Sequence, residues 1–196
     1  MSPGQPDDAL AHSANDIAQR VTLSPAARGL VRDGQTAAQL LEELLKKEDF
    51  TQAGLFLAHA LPKREAVWWA CQCARQAPAA DGPPADAALR AAERWVSEPT
   101  DEHRRAAHAA AEAAGVGTPA GCAALAAFLS GGSLAPPGIA EVPPAEHLTA
   151  AAVAGAVTLA AVIQEPEKAP ERYQKFFALG FDVANGKNRW REPQPG

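Results

Sequence analysis

Aromatic residues are scarce in this chain: they make up 6% of its 196 residues, with a single tyrosine beside four tryptophans and six phenylalanines. Cysteine is scarce too. Cys71, Cys73 and Cys122 are an odd number, too few for a disulfide framework. Reduced thiols and a cytoplasmic setting are the simpler reading. An excess of basic charge is missing, since 18 lysines and arginines face 23 acidic residues for a net charge of −5. Nucleic-acid binders carry a basic footprint, so no nucleic-acid partner is expected. The N-terminal stretch has no basic segment followed by an apolar run, and no signal peptide is read there.

Long hydrophobic runs are limited to one. Residues 148–163 (LTAAAVAGAVTLAAVI) carry no charge. As a helix they would span about 24 Å at 1.5 Å per residue, short of a hydrocarbon core of about 30 Å. Large residues fall on two sides, Val153 and Val157 against Leu148, Leu159 and Ile163, which suits a helix buried between neighbours. A buried helix is expected, not a membrane span. The competing reading is a face covered by a second copy of the chain, giving a homo-oligomer.

Catalytic signatures are also absent. Gly131-Gly132-Ser133 lacks the strand, lysine and spacing of a phosphate loop. No nucleophile elbow, zinc-protease motif or close carboxylate pair is found. Cys71 and Cys73 would point about 200° apart on a helix and cannot share a metal. His103 and His108 diverge on one helix, His103 toward the alanine face and His108 beside Arg104 and Glu112 on the polar side. His12, His59 and His147 read as surface or helix-end residues. No catalytic residue, metal site or cofactor is therefore expected.

What the chain has in excess is alanine, roughly a quarter of all residues and far above ordinary usage. Alanine is the best helix former and a poor strand former. The expected fold is all-α, an irregular multi-helical bundle or solenoid-like array of about eight to nine helices, though no residue pattern repeats at a fixed period.

Helix punctuation is legible. Residues 1–14 read as disordered. Ser24-Pro25 starts a short helix. Thr36 and Gln39 form a capping box, and Asp49, Thr100 and Thr118 read as further caps. Loops are read at 77–84, a candidate hinge, and at 131–144. Helix starts are read at Lys63 and Asp86, and the last helix closes at Gly186. One helical domain, 15–186, precedes a basic, aromatic and proline-rich tail, 187–196.

The sharpest segment is 61–75, LPKREAVWWACQCAR. On a helical wheel, Ala66, Val67, Ala70, Cys71, Cys73 and Ala74 form the inward stripe. Trp68 falls in the polar arc with Arg64 and Arg75, and Trp69 at its edge. Two accounts fit. Trp68 packs against a second neighbour with both arginines beside it, or it is an exposed anchor for a partner, since Trp and Arg dominate interface hot spots. Trp190 in the tail reads either as a strap docked on the domain or as a second partner contact.

Together with the preceding AGLFLAHA, this segment resembles the signature of an uncharacterised bacterial family, "FLAHALPKREAVWWAC" after a leucine-rich helix. The likeness is close over 53–75 and loose elsewhere. It implies a companion of contractile, type VI-like secretion genes. That would make the protein an adaptor, accessory or immunity-like protein.

The expectation is thus a non-catalytic, protein-binding helical module with Arg64, Trp68, Trp69, Arg75 and Trp190 as its partner-binding residues. Two rivals remain. One is an enzyme or small-ligand binder with a pocket lined by Trp68, Trp69 and His103. The other is a purely structural subunit.

Overall fold

The computed structural model describes residues 9–77, 82–187 and 190. Among them there are ten α-helices and no strand. The helices are α1 Ala14–Ala18, α2 Pro25–Arg28, α3 Ala37–Lys46, α4 Phe50–Ala60 and α5 Lys63–Arg75, followed by α6 Pro83–Ser97, α7 Asp101–Ala114, α8 Pro119–Phe128, α9 His147–Val162 and α10 Ala169–Ala184. A 3₁₀ turn, Pro166–Lys168, links the last two. The all-α class is as expected from the alanine excess.

Side-chain caps set several of the starts. The side chains of Thr36, Asp49, Thr100 and Thr118 accept from the backbone N–H of Gln39, Gln52, His103 and Gly121 at 3.0–3.4 Å. The Gln39 side chain returns a bond to the Thr36 N–H at 2.9 Å, closing the capping box. α6 begins at Pro83, three residues before the expected start at Asp86. Proline has no N–H to lose in a first turn, so Pro83 and Pro84 of the expected loop fit inside the helix. The rest of the candidate hinge, 78–81, lies outside the described residues.

The stretch read as disordered, 1–14, is described from residue 9, and residues 9–14 are held in place. Ala9 and Leu10 are buried. The N–H groups of Ala37 and Ala38, which a helix start leaves without partners, donate to the carbonyls of His12 and Leu10 at 2.8 and 3.0 Å. The N-terminal segment is thus a backbone cap for α3. Sequence patterning misses such a cap because it is made by carbonyls, whatever the side chains.

The core is one continuous cluster running from Ala9 to Ala184. α8 and α9 pack closely through small residues, and nine of the ten α8 residues are buried. α5 is enclosed by α4, α6, α8, α9 and α10. In a solenoid each unit touches only its neighbours, so the arrangement is a bundle. Chain direction follows from bonds between helix ends. Arg64 at the start of α5 reaches the end of α6, and Thr149 at the start of α9 donates to the Leu129 carbonyl beyond α8 at 2.8 Å. Both pairs therefore run antiparallel. Val153 and Val157 of α9 are buried, whereas Ile163 is exposed. Among the described residues no single helix is long and apolar enough to cross a membrane. α9 and α10 pass that test only as a pair bent by 113°.

Gly180 marks a close contact of α10 with α4 and α5. A Cβ there would lie 2.7 Å from Leu57 Cδ2 and 3.0 Å from the Trp69 indole. An alanine in an open helix is worth about 1 kcal/mol over glycine, whereas overpacking a rigid core costs about 1–3 kcal/mol. Gly180→Ala is expected to lower the urea midpoint, the sign opposite to that of a free helical site.

Candidate functional site

α5 carries four of the five candidate residues, and its neighbours divide them. The inward stripe of Ala66, Val67, Ala70, Cys71, Cys73 and Ala74 is buried as the wheel requires. Trp69 is buried too, at 0% exposure, on the side facing α10. Its Nε1 donates to the Phe176 carbonyl at 2.8 Å, and its ring lies 6.0 Å from that of Phe177. Trp69 is therefore a core residue, out of a partner's reach in this fold.

The other face of α5, polar by its wheel, is the seam with α6. Arg64 donates to the carbonyls of Val96 and Ser97 in the last turn of α6, the second at 2.8 Å. At the far end of the seam Arg75 grips both Glu93 carboxylate oxygens, at 2.5 and 2.7 Å. It also lies 3.6 Å from Asp86. These carboxylates raise its pKa above the ordinary arginine value. Trp68, one turn after Arg64, is half-buried.

Trp190 completes this corner from the tail. The Arg64 guanidinium lies 4.3 Å from the centre of its ring. The Trp68 and Trp190 rings meet edge to face, with centroids 6.4 Å apart and planes at 75°. The fold therefore brings together Arg64, Trp68 and Trp190, and leaves Trp69 and Arg75 elsewhere. Among the described residues, the cavity that His103 lines takes in no tryptophan. His103 shares this hollow of about 290 Å³ with Arg90, Arg94 and Glu102, and its Nδ1 is 2.9 Å from the Glu98 carbonyl.

The thiols are quiet. Burial pushes all three above the ordinary cysteine range. Among the described residues no group of three or more His, Cys, Asp or Glu could hold a metal ion.

Sequence reasoning missed Arg104. The wheel puts it on the polar side of α7, yet it is 3% exposed. It donates to Asp101 at 2.6 and 2.9 Å, and to the carbonyls of Phe128 and Ser133 at 2.9 Å each. Its guanidinium also stacks on the Phe128 ring, 4.8 Å from the centroid. Gly132 lies so close that a Cβ would stand 2.9 Å from its Nε. Arg105 adds bonds to Asp101 at 2.8 Å and to the Ala135 carbonyl at 3.1 Å. The acidic Asp101 before two arginines is the signal available in the sequence, but only the fold shows that they reach into a loop.

That loop is the one read at 131–144, and it is closed on itself. Ser133 Oγ accepts from the N–H groups of Ala135 and Val142 at 3.1 and 3.0 Å. The Leu134 N–H donates to the Val142 carbonyl at 2.8 Å. Between them the chain displays Pro136, Pro137 and Ile139 to solvent, Ile139 at 64% exposure and Val142 at 51%. Lys63 Nζ donates to the Ser130 carbonyl at 3.0 Å, so this loop and the Arg64–Trp68–Trp190 corner lie at the same end of the bundle.

These features define an alanine-rich helical bundle with an anchored apolar loop and an aromatic–arginine corner at one end. Residues 40–184 match the Family of unknown function (DUF6931), and the chain belongs to that family. The match takes in Arg64, Trp68, Arg104 and the loop, and stops short of Trp190. No curated protein and no solved structure matches the chain.

Arg104→Met should destabilise the protein by about 2–3 kcal/mol, because it leaves buried carbonyls unpaired. It should also release the loop to proteases, and urea unfolding with limited proteolysis at 133–142 measures both. The two arginines hold the Asp101 carboxyl below its ordinary value. A depressed acid pKa lends stability that is lost as pH falls through the folded value. In the wild type, loop cleavage is therefore expected to rise only below about pH 4, under the ordinary carboxylate range.

Proposed function

We propose that the protein is a non-catalytic interaction module, a cytoplasmic adaptor or accessory protein that binds a protein partner through the end of the bundle carrying loop 134–144. One observation carries this reading: Ile139 and Val142 are held out to solvent on a loop that Arg104, Arg105 and Ser133 fix in place. A large apolar side chain exposed on a fixed base is poorly explained by stability and well suited to docking. Pre-ordering the loop also lowers the entropy lost on binding. Arg64, Trp68 and Trp190 lie at the same end and add the residue types that dominate hot spots.

The likeness of 53–75 to a family linked to type VI-like secretion genes supplies the setting, that of an adaptor or immunity-like protein. It rests on sequence alone. Among the original candidates, Trp69 and Arg75 serve packing and the α5–α6 seam in this reading.

Ile139→Asp with Val142→Asp tests it. Both side chains are exposed, so the fold should change by less than about 0.5 kcal/mol. Affinity capture from the native host should lose a specific partner with the double variant while circular dichroism is unchanged. Equal recovery of every partner by both proteins would remove the proposal.

A further inference from the structure

Outside this surface the molecule has a second feature that the interaction reading does not use. A cavity of about 450 Å³ opens where Arg20, two residues beyond α1, meets the end of α4 and the starts of α5 and α9. Arg20, His59, Lys63 and His147 line it, with Glu146 as its single carboxylate. Ala58, Leu61 and Ala150 give it an apolar wall. Its volume lies in the range of small-molecule sites, about 300–1,000 Å³.

The charge of this cavity opposes that of the chain. The protein carries −5 overall with its histidines neutral, yet two cationic side chains, Arg20 and Lys63, and two imidazoles, His59 and His147, converge here from four segments against one acid. Among the described residues Arg20 has no ion-pair partner. Lys63 reaches only a carbonyl, that of Ser130. The Thr149 hydroxyl is committed to the Leu129 carbonyl, so the basic groups are the donors left for a ligand. Cations gathered in a concave site, with low-dielectric walls, focus a field that attracts anions.

We propose that this cavity binds a small organic anion, a carboxylate or phosphate monoester on a short apolar body. The basic groups recognise the charged head, through the charge-assisted bonds that make such heads bind strongly. The alanine–leucine wall receives the body. A bare inorganic ion would leave most of the volume unfilled. His59 also gives the site a pH response. Burial, then Arg20 and His147, lower its pKa. Lys63 adds to this positive surround and Glu146 opposes it. An anion offsets those positive neighbours, so binding is coupled to proton uptake at His59 and tightens as pH falls through and below about 6.5.

The test uses the full chain with phenyl phosphate and phenylacetate, read by isothermal titration and by the ring NMR signals of the histidines. At least one anion should bind with a dissociation constant below about 1 mM, more tightly than inorganic phosphate. It should shift the His59 and His147 rings, whereas benzyl alcohol, which has the ring without the charge, should not. Arg20→Gln and His147→Gln, both at solvent-facing positions, should each weaken binding by about fivefold or more without moving the unfolding midpoint. Three results would each overturn the proposal. They are no shift of either ring with about 20 mM of both anions, unchanged affinity in both variants, and, for phenylacetate, which stays charged over that range, affinity that weakens from about pH 7 to about 5.5, against the expected linkage.

Discussion

The enclosure of α5 is the constraint from which the rest follows. Five helices surround it, so both of its faces must find partners. On one side this demands a bare helix surface, and Gly180 provides it for the indole of Trp69. On the other side a polar arc faces another helix. Arg64 and Arg75 make that tolerable by bonding to α6, one to its terminal carbonyls and the other to its carboxylates. Buried or half-buried guanidinium groups are accepted only when their donors are used. Here the bonds also align the two helices in antiparallel register.

Arg104 applies the same logic one helix further on. A planar group with five donors can tie together a carboxylate, a helix end and a loop, and Arg104 does so with Asp101, Phe128 and Ser133. As a result a proline-rich loop with exposed Ile139 is fixed to the body of the bundle. The same end of the molecule thus has two kinds of surface. One is an apolar loop beside an aromatic–arginine corner, suited to a protein. The other is a basic cavity with an apolar wall, suited to a small anion. The two are built by different residues and are separable by experiment.

Much of this organisation is legible in the sequence. The caps at Thr36, Asp49, Thr100 and Thr118 and the buried stripe of α5 follow from local rules, because cap chemistry and helical period act within a few residues. The separation of Arg64, Trp68 and Trp190 from Trp69 and Arg75 was not legible. A wheel shows which residues share an arc, and treats the arc opposite the core as solvent. When a helix is enclosed, that arc is a second interface and polar residues in it become bridges. Arg104 was misplaced for the same reason.

The all-α class and the helix starts set by side-chain caps are thus properties of the chain itself, since alanine content and cap chemistry act locally. Which faces are covered was decided by tertiary structure alone. Residues 9–14 cap α3 with backbone carbonyls, Trp190 returns to Arg64 and Trp68 from the far end of the chain, and Arg20 meets His59, Lys63 and His147 across four segments. Each of these contacts joins residues distant in sequence through space, and no local periodicity encodes such a distance.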